Sequence, residues 1–328
     1  MLWLPDELGA PAVLLAGVPA LAIAADRLLG EPPLRWHPVA WMGMWLTWAG
    51  RRVAPRADLP RQRSDARVFW SAALAWCAGA AAVFAIARLL QDWVLSQPPW
   101  LAALALGLFL KPLLAWAMLH DEVLGVEGAL AQSPEAGRAQ LARLVSRDVA
   151  TLSAHQVRES AIESLAENLN DSVVAPLFWF VLLGLPGAAL FRFANTADAM
   201  WGYRGVRPLD GVPHDWGWAG KWAARADDLL GWVPARITAA LIALAGGAAG
   251  PGRLWAEAAR TPSPNGGWTM AAMAIALGVA LRKPGAYTLN PEGRAPEPAD
   301  TLRACAIGSL TVLGATLVAC AVLGWALA

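Results

Sequence analysis

Long apolar runs alternate with short polar links along the chain, and the run length matches a bilayer better than a soluble core. Uninterrupted runs of spanning length occupy residues 11–29, 68–90, 100–119 and 305–328. Residues 172–191 and 229–250 are long enough but interrupted, the first by Pro176, Gly184 and Pro186. Residues 36–50 and 268–281 are apolar but too short to cross as regular helices. The pattern predicts an all-α, polytopic integral membrane protein. About 5–8 membrane-embedded helices, some broken or re-entrant, would form a single domain over residues 1–328. Residues 120–171 are the one polar stretch of domain-like length and predict a cytoplasmic insert of amphipathic helices. Ser133 before Pro134 and Glu135, and Ser153 before Ala154, are the expected helix starts. Residues 290–300, rich in Pro, Glu and Gly, predict a solvent loop.

Composition agrees. Residues of the AVILMFWYC set make up 57% of the chain and charged residues 16%, against roughly 25% charged in a soluble protein. Mean hydropathy is +0.43. A soluble fold of this size cannot hide so much apolar surface. A formal net charge of +1 leaves no basic field to attract a nucleic acid. Cys77, Cys305 and Cys320 sit in apolar runs without metal-ligand spacing, so they are expected as small hydrophobes. Asp6 and Glu7, with no Lys or Arg before the first run, argue against a signal peptide.

Positive charge orients the chain. Arg51, Arg52, Arg56, Arg61, Arg63 and Arg67 crowd one link, and residues 91–99 hold no Lys or Arg. The Arg-rich link is therefore expected in the cytoplasm and the N-terminus outside. A full crossing by 172–191 would put Arg192, Arg204, Arg207, Lys221 and Arg225 outside, so a re-entrant hairpin that returns to the cytoplasmic side is expected instead. Tryptophans near the ends of apolar runs (Trp3, Trp36, Trp45, Trp70, Trp93, Trp100, Trp232, Trp268) predict an interfacial belt, with walls for a large flat ligand as the alternative.

Four polar clusters interrupt this background. The first holds Asp26, Gly30 and His37 in a Pro-rich turn. The second joins Arg147 and Asp148 to a helix carrying Glu159, Glu163 and Glu167 at i+4, a stripe of like charge. That helix runs through Asn168, Asn170 and Asp171 straight into an apolar segment, and carboxylates and amides there suit Mg²⁺. The third is Asn195, Asp198, Tyr203 and Arg204, with Arg204 as a phosphate fork. In the fourth, Asp227 and Asp228 precede Arg236, which lies inside an apolar segment and needs either those carboxylates or a bound anion as partner. Ser263, Pro264 and Asn265 add a further polar loop. Two function classes remain: a Mg²⁺-dependent transferase or ligase for anionic substrates, and a transporter with broken helices. Charges gathered at helix ends favour the enzyme.

Taken in order, the motifs resemble the CobD/CbiB family of cobalamin biosynthesis, the adenosylcobinamide-phosphate synthases. They are Asp26, Gly30 and His37-Pro38-Val39; Arg147-Asp148; Ala166-Glu167-Asn168, Asp171 and Ala175-Pro176-Leu177-Phe178; Asn195-Thr196, Asp198, Met200 and Gly202-Tyr203; Asp227-Asp228 and Val233-Pro234-Ala235-Arg236; and Ser263-Pro264-Asn265 with Trp268. The resemblance spans residues 20 to 290. It implies a multi-pass enzyme of the bacterial cytoplasmic membrane, with its site facing the cytoplasm. Such an enzyme joins adenosylcobyric acid to 1-amino-2-propanol or its phosphate, using ATP and Mg²⁺ and forming an amide. The implied partners are that corrinoid, the amino alcohol, membrane lipid and other corrinoid-assembly enzymes.

On this reading Glu167, Asp171, Asp227 and Asp228 would hold Mg²⁺. Arg147, Arg204 and Arg236 would hold phosphates. Asp26, Asn195, Asp198, Tyr203 and Asn265 would line the substrate. His37, Asp148, Glu163 and Asn168 would serve catalysis, with His37 and Asp148 as candidates for taking the amine proton. A transporter, or a diverged non-catalytic paralogue with a charged intramembrane site, is the alternative. The chain departs from the family's usual pattern at Ser146 to Val149, at Ser172, and at Arg282 to Tyr287.

Overall fold

A computed structural model describes Trp3 and residues 10–60, 63–247, 250–283 and 285–327. Asp6, Glu7, Arg61, Pro284 and Ala328, all within segments singled out above, lie outside them. The chain is an all-α polytopic membrane protein. Its helices are α1 (Val18–Leu29), α2 (Pro38–Val53), α3 (Asp65–Leu95), α4 (Pro99–Leu110), α5 (Trp116–Leu130), α6 (Pro134–Leu141), α7 (Ala154–Leu169), α8 (Ala175–Leu183), α9 (Leu185–Trp201), α10 (Lys221–Gly246), α11 (Pro251–Ala258), α12 (Gly266–Leu277) and α13 (Pro298–Leu327). Four stretches are long and apolar enough to cross a membrane: α3, α4 with α5 (Pro99–Leu130), α10 and α13.

Two expectations about the spans need correction. Residues 11–29 do not form one regular helix: Ala10–Gly17 is a 3₁₀ stretch and only α1 is α-helical. Residues 229–246 belong to α10, a helix that Pro234 does not interrupt, and the expected run stops short of 250. A proline has no N–H and frees the carbonyl four residues earlier, at Leu230. Trp179 Nε1 on α8 donates to that carbonyl at 3.0 Å, so the helix continues without an orphaned acceptor. Pro176 poses the same problem at Ser172, whose carbonyl accepts from Ala115 N at 3.1 Å, beside the 3₁₀ break Lys111–Leu113 between α4 and α5. The two prolines therefore tie helices together at membrane depth.

Both expected N-caps form. Ser133 accepts from Ala136 N, and Ser153 forms a capping box with Gln156 at the head of α7. Between α7 and α8, residues Asn170–Val174 make one turn of π-helix, where Ala175 N reaches back to Asn170 O. The turn frees the Asp171 carbonyl, which accepts from Arg192 Nη1 on α9 at 3.2 Å.

Helices α8 and α9 are antiparallel and pack on each other, on α3 and on α10. Asn195 Nδ2 of α9 donates to Asp171 Oδ2 at 3.2 Å, so the hairpin returns to the end at which it began. Gly184 makes its tip at φ 72° and ψ −156°, a conformation open essentially to glycine alone. The buried Gln91 of α3 accepts there from Leu185 N at 2.7 Å, and a Cβ on Gly184 would lie 2.1 Å from the same Gln91 oxygen. Gly184→Ala is therefore expected to destabilise the protein by on the order of 2 kcal/mol or more, read as a lower thermal midpoint in detergent; an unchanged midpoint would contradict it.

Most of the tryptophans named above are exposed on the helix surface, Trp36, Trp70, Trp93, Trp100 and Trp232 among them. Trp45 and Trp268 are half-buried, and Trp3 is buried against Phe180 with ring centroids 5.4 Å apart. Two short hairpins had no periodic signal: β1 (Val206–Leu209) with β2 (Val212–Asp215), and β3 (Leu281–Lys283) with β4 (Tyr287–Leu289). The 290–300 segment is less of a solvent loop than expected. Asn290 and Asp300 are buried, and Arg294 holds Asp300 through two hydrogen bonds.

Candidate active site

Helix α7 lays its acidic stripe along one wall of a pocket of about 420 Å³. The three glutamates meet different partners. Glu159 accepts from Arg282 Nη1 at 3.0 Å. Glu163 stands 3.6 Å from Arg147, which also donates to Ser160 Oγ. Glu167 opens to the pocket. Burial pushes Glu163 up to about 7, although Arg147 and Lys283 pull the other way. Glu167 is likewise held at about 7, by desolvation within the walls and then by the charge of Asp171. Like charges this close hold protons that solvated carboxylates would have lost.

The floor comes from the π turn and from α9. Asp171 receives Asn170 Nδ2 at 2.8 Å and Asn195 Nδ2 at 3.2 Å, and Asp198 faces the same space one turn along α9. Gly202 closes against that carboxylate: a Cβ there would fall 1.9 Å from Asp198 Oδ1. Asp227 reaches in from α10, next to Asp171, Asp198 and Asn195. Its Oδ1 is buried with no hydrogen-bond partner among the described residues. Asp228 is near Asp198 and the exposed Arg204.

Arg147, Glu163, Glu167, Asn168, Asp171, Asn195, Asp198 and Tyr203 all line this pocket. Asp227 and Asp228 stand beside it through the contacts just given. Asp148 does not line it, and folds back to accept from Ala150 N. Arg236 does not pair with Asp227 or Asp228, the structural partners expected for it. Nη1 donates to Trp232 O and Asn265 Oδ1, both at 2.8 Å, and the guanidinium lies over the Trp232 and Trp268 rings, because these acceptors are nearer than the carboxylates. Asn265 Nδ2 in turn holds the Asp228 carbonyl at 2.7 Å.

Asp26 and His37 belong to a second ionic cluster. Asp26 accepts from Ala117 N at 2.7 Å and stands 3.7 Å from the buried Lys111, which also pairs with Glu31 at 3.1 Å. His37 Nε2 bonds Glu31 while Nδ1 accepts from Val39 N, capping α2.

A family model described as CobD/Cbib protein matches residues 19–313. A "Probable cobalamin biosynthesis protein CobD" of Methanothermobacter thermautotrophicus is 40% identical over 309 residues, covering 92% of this chain and 96% of that protein. A cobalamin biosynthesis protein CobD of Chromobacterium violaceum is 41% identical over 267 residues, 80% of this chain and 79% of that protein. The chain belongs to the CobD/CbiB family. No solved structure matches it.

In this CobD/CbiB chain the departures from the usual pattern fall at the site. Ser146 lines the pocket, and Ser172 Oγ lies 3.3 Å from Arg192 Nη1. Arg282 pairs with Glu159, and its neighbour Lys283 lines the pocket with Tyr287. Lys283, Tyr287, Ser160, Ser164 and Met270 were not picked out from the sequence as site residues. For Lys283 the only signal was a flagged loop more than a hundred residues downstream of α7.

Whether this CobD/CbiB pocket suits Mg²⁺ depends on its donors. Among the described residues no three His, Cys, Asp or Glu side chains form a ready-made cage. Mg²⁺ does not require one, since it keeps waters and takes one or two carboxylates with substrate phosphates. Hard oxygen donors, an Asp227 oxygen without a hydrogen-bond partner among the described residues, and glutamates that burial drives to hold protons suit a divalent cation.

Proposed function

We propose that this chain, a cobalamin-biosynthesis protein by family, is an ATP-dependent ligase of the cytoplasmic membrane. It joins a propionate carboxylate of adenosylcobyric acid to 1-amino-2-propanol or its phosphate through an amide. The observation that carries the reading is one pocket in which Glu163, Glu167, Asp171 and Asp198 meet Arg147 and Lys283. A carboxylate is a poor electrophile at neutral pH. Attack of its oxygen on the γ-phosphorus of ATP expels ADP and leaves an acyl phosphate. The amine then attacks the acyl carbon, and phosphate departs.

The corrinoid carboxylate, ATP and the phosphorylated amino alcohol all bring negative charge, so the pocket must offset repulsion. Mg²⁺ held by Glu167, Asp171 and Asp227, with Asp228 alongside, would supply that charge where the phosphoryl group transfers. Arg147 keeps a buried Nε with no acceptor among the described residues, a donor suited to a substrate oxygen. Glu163, held near neutrality, is suited to take the proton the amine loses. His37, committed to Glu31 and to the α2 cap, is not proposed for that step. The Arg-rich link between α2 and α3 supports a cytoplasmic orientation.

Detergent-purified protein given adenosylcobyric acid, amino-alcohol phosphate and MgATP is expected to yield the amide and ADP, detected by mass spectrometry. No sealed compartment is needed, which separates a ligase from a transporter. Failure to form amide with either form of the amine would refute the ligase.

A further inference from the structure

We infer that Lys283, at the end of strand β3, is the phosphoryl clamp of this pocket and binds the oxygens of a phosphate-bearing substrate. The inference rests on the ligase reading for the identity of that substrate, though not for the clamp itself. Arg147 and Lys283 are the cationic residues among those lining the pocket. Arg147 is anchored by Ser160 and Glu163, which fixes where its guanidinium points. Arg192 is turned away beneath the floor, onto the Asp171 carbonyl and Ser172. The Lys283 ammonium makes no hydrogen bond or ion pair among the described residues. Its nearest aromatic neighbour is Tyr287, whose ring centroid lies 5.9 Å from Nζ.

The hairpin explains why this lysine is held out as it is. Lys283 pairs with Tyr287 across β3 and β4, and the turn between them passes through Gly285 at φ 73°. Both side chains thereby face the pocket wall made by α7. Next to Lys283 in the chain, Arg282 is pinned to the buried Glu159, so α7 anchors the strand. A rigid strand thus presents a flexible ammonium to a pocket whose walls carry Glu163 and Glu167. Lys283 lies within electrostatic reach of both, yet pairs with neither. An ammonium kept unpaired beside carboxylates is placed for an anion that arrives with its own cation, as a Mg²⁺-bound polyphosphate does.

Phosphoryl oxygens reach this site from two sources, the ATP and the phosphorylated amino alcohol. Calorimetry with MgCl₂ and inorganic tripolyphosphate on the full-length protein in detergent tests the clamp without turnover. Lys283→Met is expected to weaken tripolyphosphate binding at least tenfold, and Lys283→Arg to stay within about threefold of wild type. Steady-state amide formation then separates the sources. A rise in KM for ATP alone assigns the clamp to the nucleotide. A rise for the amino-alcohol phosphate, absent for the unphosphorylated amine, assigns it to that substrate. Unchanged tripolyphosphate binding in Lys283→Met, or equal losses in Met and Arg variants, would overturn the clamp. A wild-type protein that binds tripolyphosphate but makes no amide would sink the ligase and leave the clamp standing.

Discussion

Asp171→Asn is expected to cut amide formation by roughly 10²–10³-fold, the size of effect seen when one preorganised electrostatic contact is removed, while the protein remains folded in the membrane. The substitution keeps the shape and deletes a charge. It also spoils the local bonding, because both Asp171 oxygens already accept, one from Asn170 Nδ2 and one from Asn195 Nδ2. An amide has one acceptor oxygen, so one of those donors must face another N–H. Asn195, which stands between Asp171 and Asp227, loses its partner as well. Product should fall at every Mg²⁺ concentration. Activity within threefold of wild type would remove Asp171 from the metal-binding proposal.

Glu163→Gln should separate stability from activity through pH. The folded protein holds the Glu163 proton up to about 7, against an ordinary value of 4.5. Between those two values the folded chain binds more protons than the unfolded one, so stability falls as pH rises through this window. The cost is absent below about pH 4.5 and complete above about pH 7, where it amounts to about 3 kcal/mol. Glutamine removes it. The variant should therefore melt several degrees above wild type at pH 8, with the gap closing as pH is lowered toward 4.5, and it should lose amide formation because the base is gone. A variant less stable than wild type at pH 8 would show that the ion pair with Arg147 outweighs the burial of the charge.

The membrane architecture was legible because the apolar runs are long, and bilayer thickness imposes a length that sequence periodicity reports directly. The hairpin of α8 and α9 was legible from an imbalance: cationic residues downstream of 172–191 cannot readily be placed outside. Much of the site was also visible, since Glu163, Glu167 and Asp171 share the face of one helix and its continuation. Three things were not visible, each for a physical reason. Whether Pro234 breaks α10 depends on an indole from α8 meeting the freed carbonyl. The partner of Arg236 depends on a loop thirty residues away that offers Asn265 and Trp268. Lys283 reaches the pocket on a four-stranded total of very short β-structure, too brief for alternation to show. His37 illustrates the converse: a titratable residue in a Pro-rich turn that the fold uses to start a helix.

The π turn at Asn170–Val174 has one more consequence. A wide turn of this kind amounts to a single residue inserted into an otherwise continuous helix. Deleting one residue within it would leave hydropathy, length and membrane insertion almost untouched. The bond from Ala175 N to Asn170 O would then span four residues, so the helix would close up as regular α-helix and the limb beyond would keep roughly its direction. A one-codon deletion here would thus leave the hairpin in place and re-aim only the side chains of the turn itself, Asn170 and Asp171 among them, and its product would accumulate in the bilayer as an intact but disarmed protein.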